Sequence, residues 1–239
     1  MRRLHPALVL LSFGAGAADA FAFLALNGTF TANMTGNLVL AAMFTKPGFE
    51  KTFICAVVAI AVFAVVLYSG FRLTKGSGHG PDSPRYVMTV LLIPSLVAQL
   101  VVIVVWLFIW KDAPLAVVCV VIAFSAAALA LQTVAAKKLS DVDGITTTYV
   151  TGTLTTTMQA LAERKDSGQG MRVLSILALP AGAVAATALY QLAGWCGPML
   201  PFVVTAVATL VAFSARPAAS PSSGAPQAEA PSPRGAPGV

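Results

Sequence analysis

Long stretches without charge decide what this chain can fold into. Between Leu4 and Thr45 the only Asp, Glu, Lys or Arg is Asp19, and between Ala113 and Ala136 there is none. A run of about 20 apolar residues, at 1.5 Å rise per residue, crosses the roughly 30 Å hydrocarbon core of a bilayer as a helix. Segments of that kind fall near residues 6–26, 52–71, 87–110, 114–136, 172–192 and 196–215. Only 10% of the 239 residues are charged, against about 25% in a soluble domain. The expected class is an all-α integral membrane protein with the bilayer as its first partner. The net charge of +6 then concerns topology and lipid headgroups. No basic cluster with interleaved aromatics points to nucleic acid.

Two stretches break the apolar pattern. NGTFTANMTGNL occupies residues 27–38 and DGITTTYVTGTL occupies residues 143–154. Gly28, Thr31, Thr35, Gly36 and Leu38 match Gly144, Thr147, Thr151, Gly152 and Leu154, each pair 116 residues apart. Upstream, Ser12 and Asp19 match Ser125 and Gln132 at a spacing of 113, and AVFAVVLY at 61–68 matches AVAATALY at 183–190. The order is kept while the spacing changes in loops. This predicts a duplicated unit of three long helices and one discontinuous T-G half-helix element, with a first repeat at 1–112 and a second at 113–215. Residues 216–239 are a Pro/Ala/Ser/Gly tail without the apolar residues needed for a core, and are expected to be disordered.

An odd number of crossings per unit inverts the second copy, giving six spans. With both termini cytoplasmic, Arg2, Arg3, Arg72, Lys75, Arg85, Lys137, Lys138, Arg164, Lys165, Arg172 and Arg216 lie inside, and only Lys46, Lys51 and Lys111 lie outside. That follows the positive-inside bias. The alternative, eight full crossings in two parallel units, puts many of those cations outside. The expected location is the bacterial inner membrane, multi-pass.

Irregular backbone at membrane depth is tolerated only when buried in protein or lining a wet cavity. The Thr-rich pieces TFTAN and ITTTYV are poor helix starters, and each runs into helix-compatible sequence. They are expected to be extended chain followed by a helix capped near Thr35 or Thr151, with Gly36 and Gly152 allowing close backbone approach. Two half-helix N-termini meeting near mid-membrane would present N–H donors and positive dipole ends to a small polar or anionic solute. The candidate binding residues are Asp19, Asn33, Thr35, Gly36, Asn37, Gln132, Thr151, Gly152 and Thr153.

Asp19 stands mid-segment, where a charge costs on the order of 2.5–3.5 kcal/mol. Ser12, Ala15, Gly16, Asp19 and Ala22 share one mostly small helix face, fit to pack against another helix or to open a cavity. The matching face of the second copy carries Ser125, Ala128 and Gln132. Asp19 suits either a proton or cation partner for a solute, or a structural clamp on the insert of its own repeat.

Other polar residues point to no chemistry. Cys55, Cys119 and Cys196 are isolated and read as small apolar fillers. His5 and His79 lie in polar flanks with no Ser/His/Asp constellation around them. No metal spacing appears, so neither an enzyme nor a cofactor is expected. Gln99 and Gln191 are candidates for interhelical hydrogen bonds. Trp106, Trp110 and Trp195 lie near segment ends, as an aromatic belt would place them. Pro94 and Pro180 fall inside segments as kink sites. The N-terminal 20 residues have the look of a signal peptide, but the apolar stretch continues through Leu26 and recurs later, so an uncleaved first helix is expected.

The stretches GAGAADAFAFLALNGTFTANMTGNLVLAA and ALALQTVAAKKLSDVDGITTTYVTGTLTTTMQAL carry a resemblance. Through A-D-A-F, ANMTGN and T-T-Y-x-T-G-T-L, residues 5–215 resemble the YoaK family of uncharacterised bacterial inner-membrane proteins. The resemblance implies a compartment and no activity. The repeat plan is also similar to a reduced uracil and sulfate transporter fold, without that fold's separate gate helices. The expected function is a small secondary transporter or permease. The alternative is a non-transporting scaffold or partner subunit, and a homo-oligomer stays open.

Overall fold

A computed structural model describes residues 5–75, 86, 88–109, 113–140, 150–163 and 169–214. Among these all regular structure is helical. The elements are α1 (His5–Ala25), α2 (Met34–Ala42), α3 (Phe49–Leu73), α4 (Ile93–Ile109), α5 (Leu115–Ser140), α6 (Val150–Ala162), α7 (Gln169–Leu192) and α8 (Met199–Ser214). A π-helix, Met88–Leu92, leads into α4, and a 3-10 turn, Gly194–Cys196, precedes α8. Pro94 accounts for the first of these. It has no N–H to give to the preceding turn, and the wider π spacing accommodates the loss. Pro180 lies inside α7.

Six helical stretches are long and apolar enough to span a bilayer: His5–Ala25, Phe49–Leu73, Met88–Ile109, Leu115–Lys138, Gly170–Leu192 and Gly194–Ser214. The outward faces carry large apolar residues such as Val65, Val97, Phe108, Val184 and Leu210, as lipid contact requires. α2, with nine residues, is only ~14 Å long, and α6, with thirteen, ~20 Å. Neither crosses, so the eight-crossing alternative is set aside.

Three core clusters fix the directions of the spans. At one face, where α1 begins, Ala7, Leu8 and Leu11 pack with Met88, Leu91 and Leu92, with Val134–Ala136 of α5, and with Ala208 and Ala212 of α8. At the opposite, distal face, Phe21, Ala22 and Leu26 pack with Cys55 and Ala59 of α3, Val102 and Trp106 of α4, and Val118, Val121 and Ile122 of α5. Between them lie Ala15, Ala18, Ala32, Phe63 and Ala126–Ala130. Hence α1 and α4 run toward the distal face, and α3, α5 and α8 run back. α7 is parallel to α1: Ser12 Oγ donates to Ser175 O at 2.9 Å, and one turn on Gly16 lies against Leu179 O.

The small face of α1 therefore packs a helix. A Cβ on Gly16 would sit 2.0 Å from Leu179 O, and a Cβ on Gly182 would sit 2.0 Å from Phe13 O. Each glycine admits the other helix's backbone, so this is a reciprocal close crossing. The packing partners are reciprocal too: α1 lies against α7 and α8, while α5 lies against α3 and α4. α2 packs on α3 and α6 on α7. α2 links two spans at the distal face, and α6 links two spans at the face where α1 begins.

Candidate functional site

The first polar insert enters from the distal face and reaches the middle of the bundle, where Ala32 joins the central cluster. Its backbone turns at Asn27 (φ 55°) and Gly28 (φ 68°), two successive left-handed residues that suit Asn and Gly and few others. Thr52 Oγ1 holds the corner by donating to Asn27 O at 3.0 Å, and Lys46 Nζ donates to that hydroxyl at 3.2 Å.

Asp19 holds the other end. Its Oδ1 accepts the N–H of Thr31 at 2.7 Å and of Ala32 at 2.7 Å, and the Thr31 hydroxyl at 3.4 Å. The Asn33 N–H faces the carboxylate as well. Thr31 and Ala32 are buried, so their N–H groups would otherwise be orphaned at a cost of about 1–3 kcal/mol each. Of the two roles open to Asp19, this geometry is that of the clamp on its own insert.

The insert then enters α2 through asparagines. Asn37 is fully buried and pairs with the backbone of Phe30: Oδ1 accepts Phe30 N–H at 2.9 Å and Nδ2 donates to Phe30 O at 2.8 Å. The N-cap is Asn33, two residues before the expected Thr35. Its Oδ1 accepts the Gly36 N–H at 3.1 Å and the Thr35 hydroxyl at 3.0 Å. Asn is the better cap of the two, and Asp19 fixes the chain at 31–33 so that Asn33 stands at the helix edge. Gly36 does mark a close approach, though to its own insert. A Cβ there would lie 2.8–2.9 Å from the Phe30 ring. The side chains of Asn33 and Thr35 are exposed.

Asp19, Asn33, Thr35, Gly36 and Asn37 thus form one assembly. The remaining candidates stand elsewhere. Residues 141–149 lie outside the described residues, as do the side chains of Thr151 and Thr153. Thr151, Gly152 and Thr153 form the first turn of α6, and Gly152 is exposed. Among the described residues Gln132 bonds neither insert: its Nε2 donates to Ser95 Oγ at 2.9 Å and to Thr205 Oγ1 at 3.2 Å. Gln99 Nε2 donates to the same Thr205 hydroxyl at 3.2 Å, the interhelical bond its position suggested. Thr205 gives its own proton to Pro201 O at 2.8 Å. With that proton committed, both amides must turn their nitrogens toward Thr205, and both Oε1 atoms are left buried without a partner. Gln99 and Ser125, with Ala18, Phe21, Val102 and Pro201, line a cavity of about 10 Å³, room for one water molecule. Ser95 and Thr205 carried no signal in the sequence, because a Ser or Thr inside an apolar helix usually bonds its own preceding turn.

Trp106 corrects the aromatic-belt expectation. It is buried, packs edge-on against Phe21 at 5.0 Å, and donates Nε1–H to Gly194 O at 3.1 Å. Trp110 lies outside the described residues, and Trp195 is exposed near the distal face. No trio of His, Cys, Asp or Glu stands together among the described residues.

Residues 7–212 match the family described as "Protein of unknown function (DUF1275)". The chain is 30% identical over 159 residues to the UPF0700 transmembrane protein YoaK of Bacillus subtilis (strain 168), a match covering 66% of this chain and 67% of that relative. No solved structure matches. Matched from the start of α1 to the end of α8, this multi-pass membrane protein belongs to the DUF1275 family, the family of YoaK.

Proposed function

We propose that the protein is a permease-like component of the bacterial inner membrane that binds a small polar or anionic solute at the α2 insert, without catalysing a reaction. The observation that carries this reading is the exposed first turn of α2. Asn33 and Thr35, bonded to each other, present exposed polar side chains at the start of a half-helix whose entry strand is anchored inside the bundle by a carboxylate. A membrane protein keeps an intramembrane carboxylate at a cost, and here it holds irregular backbone in place. Such backbone is compatible with a bilayer where it is buried or faces a wet cavity. Exposed polar side chains on α2 favour the cavity.

The unit is read as an inverted duplication. The reciprocal packing of α1 on α7 and α8, and of α5 on α3 and α4, supports it. So do the opposite faces at which α2 and α6 are attached. The Lys/Arg bias puts the face where α1 begins in the cytoplasm, together with both termini. α6, with Gly152 exposed, is then the counterpart that a solute meets from the other side.

A specific observation favours the second reading, a non-transporting scaffold or partner subunit. Asp19 and Asn33 already accept the N–H groups of Thr31, Ala32 and Gly36, which takes donors away from an anion. The test combines two measurements on the purified full chain. Cysteines placed at 33 and 35 should react with a membrane-impermeant thiol reagent. A thermal screen against organic acids, amino acids, nucleobases and inorganic anions should then find one class that raises the melting temperature and slows that labelling. Unreactive cysteines together with a flat screen would favour the scaffold, or a second copy of the chain covering α2.

A further inference from the structure

Cys55 and Cys119 are 64 residues apart and looked unrelated in the sequence, yet the fold brings them together. Cys55 is wholly buried on α3, in the distal core cluster against which Cys119 of α5 packs. Cys119 lies within interaction range of the Cys55 thiol, and α3 and α5 are packed neighbours. Cys119 retains partial exposure, whereas Cys55 is reached only through its neighbours. Cys55 Sγ also accepts a hydrogen bond from Asn27 Nδ2 at 3.6 Å, at the left-handed corner where the polar insert begins. The two sulfurs therefore sit near the corner on which the insert turns, within about two turns of the distal helix ends. Cys196, the third cysteine, stands on the 3-10 turn before α8.

We infer that Cys55 and Cys119 are a disulfide-forming pair that ties α3 to α5 beside the insert. The co-reactant is a small disulfide or a protein thiol oxidant at the distal face. The thiolate of Cys119, the more accessible of the two, attacks one sulfur of the oxidant and displaces the other as a thiolate, giving a mixed disulfide on Cys119. The thiolate of Cys55 then attacks the Cys119 sulfur and displaces the second thiolate. Two protein thiols have lost two electrons and two protons, and the oxidant leaves as two thiols. The exposure order fixes the sequence of attack, because Cys55 is too buried to meet the oxidant first. Oxidation also takes from Asn27 the thiol that its amide contacts, so the insert corner feels the redox state. The pair stands on α3–α5 packing alone and goes beyond the solute-binding reading.

The test uses the full chain in detergent, treated with tetrathionate and then unfolded in an alkylating reagent. Cys55 and Cys119 should cease to be alkylatable, with a peptide map joining them at the loss of two hydrogens, while Cys196, partly exposed like Cys119, takes at most a single oxidant adduct. Dithiothreitol should restore all three. In Cys55→Ser, Cys119 should be trapped as the mixed adduct, and Cys119→Ser should leave Cys55 alkylatable, which separates the order of attack from a folding defect. The oxidised wild type should melt at a higher temperature than the reduced form. Full alkylation of Cys55 and Cys119 after oxidation, or crosslinks spread over all three cysteines, would overturn the pairing. A positive solute screen alongside such a failure would leave the solute-binding reading standing.

Discussion

Gly16→Ala is the most demanding change to ask of this bundle. The added Cβ would lie 2.0 Å from Leu179 O and 2.8 Å from its carbonyl carbon. Carbon–oxygen contacts across helices normally settle near 3.3–3.6 Å, so α1 and α7 must part by on the order of 1 Å at their crossing. No rotamer relieves this, because the obstacle is backbone. Overpacking costs about 1–3 kcal/mol, and a backbone obstacle belongs at the upper end. Separation also breaks the Ser12–Ser175 hydrogen bond of 2.9 Å, about 1 kcal/mol. The better helix propensity of Ala returns about 1 kcal/mol. The net expectation is a loss of about 3 kcal/mol. Gly182→Ala should cost a similar amount, through Phe13 O. The double variant should cost clearly less than the sum, because one separation relieves both clashes. Gly14→Ala is the internal control: its Cβ would meet Val204 at an ordinary 3.5 Å, so it should be neutral or slightly stabilising. Reversible unfolding in mixed micelles, followed by circular dichroism, measures all four. If Gly16→Ala and Gly14→Ala agree within about 0.5 kcal/mol, the spread expected of unremarkable sites, the reciprocal crossing is wrong.

Asp19→Leu should cost about 2–6 kcal/mol in the same assay, since it orphans the buried N–H groups of Thr31 and Ala32 at about 1–3 kcal/mol each. Asp19→Asn keeps an acceptor oxygen and should lose only about 1–2 kcal/mol of charge-assisted bonding; equal losses in the two variants would refute the clamp. Gln132→Leu, which removes bonds to both Ser95 and Thr205, should be more destabilising than Gln99→Leu, which removes one bond, since each change also removes an unpartnered oxygen; thermal melts that reverse this order would mean that the Gln99 oxygen is satisfied, by a water in the adjoining cavity. Reporter fusions after Lys46 should behave as external and fusions after Lys75 as cytoplasmic; the reverse pattern would invert the proposed orientation.

How much of this was readable in advance follows from what sets each feature. The spans were readable because the bilayer imposes them. The segments expected at 52–71 and 114–136 appear as Phe49–Leu73 and Leu115–Ser140, and no helix neighbour is needed to explain why they lack charge. Asp19 and the T-G stretch stood out for the converse reason, as polar residues where hydrocarbon forbids them without cause. What hid was register. The match of Gly16 to Leu179 and of Gly182 to Phe13 depends on how α1 lies along α7, and a glycine among Ala, Phe and Leu carries no mark of it. Cys55 and Cys119 hid in the same way. The cap at Asn33 hid for another reason. Asn33 has the better intrinsic claim to it, but the helix edge itself is set by a carboxylate twelve residues upstream of Thr31.

The fate of the matched pair Asp19 and Gln132 bears most directly on function. The sequence alignment pairs them, yet one binds its own insert and the other ties α5 to α4 and α8. A carboxylate accepts several backbone N–H groups at once and can hold an irregular strand by itself. An amide offers one oxygen and two donors, and here its donors go to hydroxyls on neighbouring spans. The first half is therefore built to keep its insert fixed at mid-bundle, whereas among the described residues the partners of Gln132 lie on neighbouring spans. If the two inserts ever move relative to each other during a cycle of solute binding, the physical asymmetry assigns the still part to α2 and the moving part to α6. Labelling rates at a cysteine placed at 152 should then change with bound solute more than those at 33, and an insert pair that responds equally would remove the reason for the Asp19–Gln132 difference.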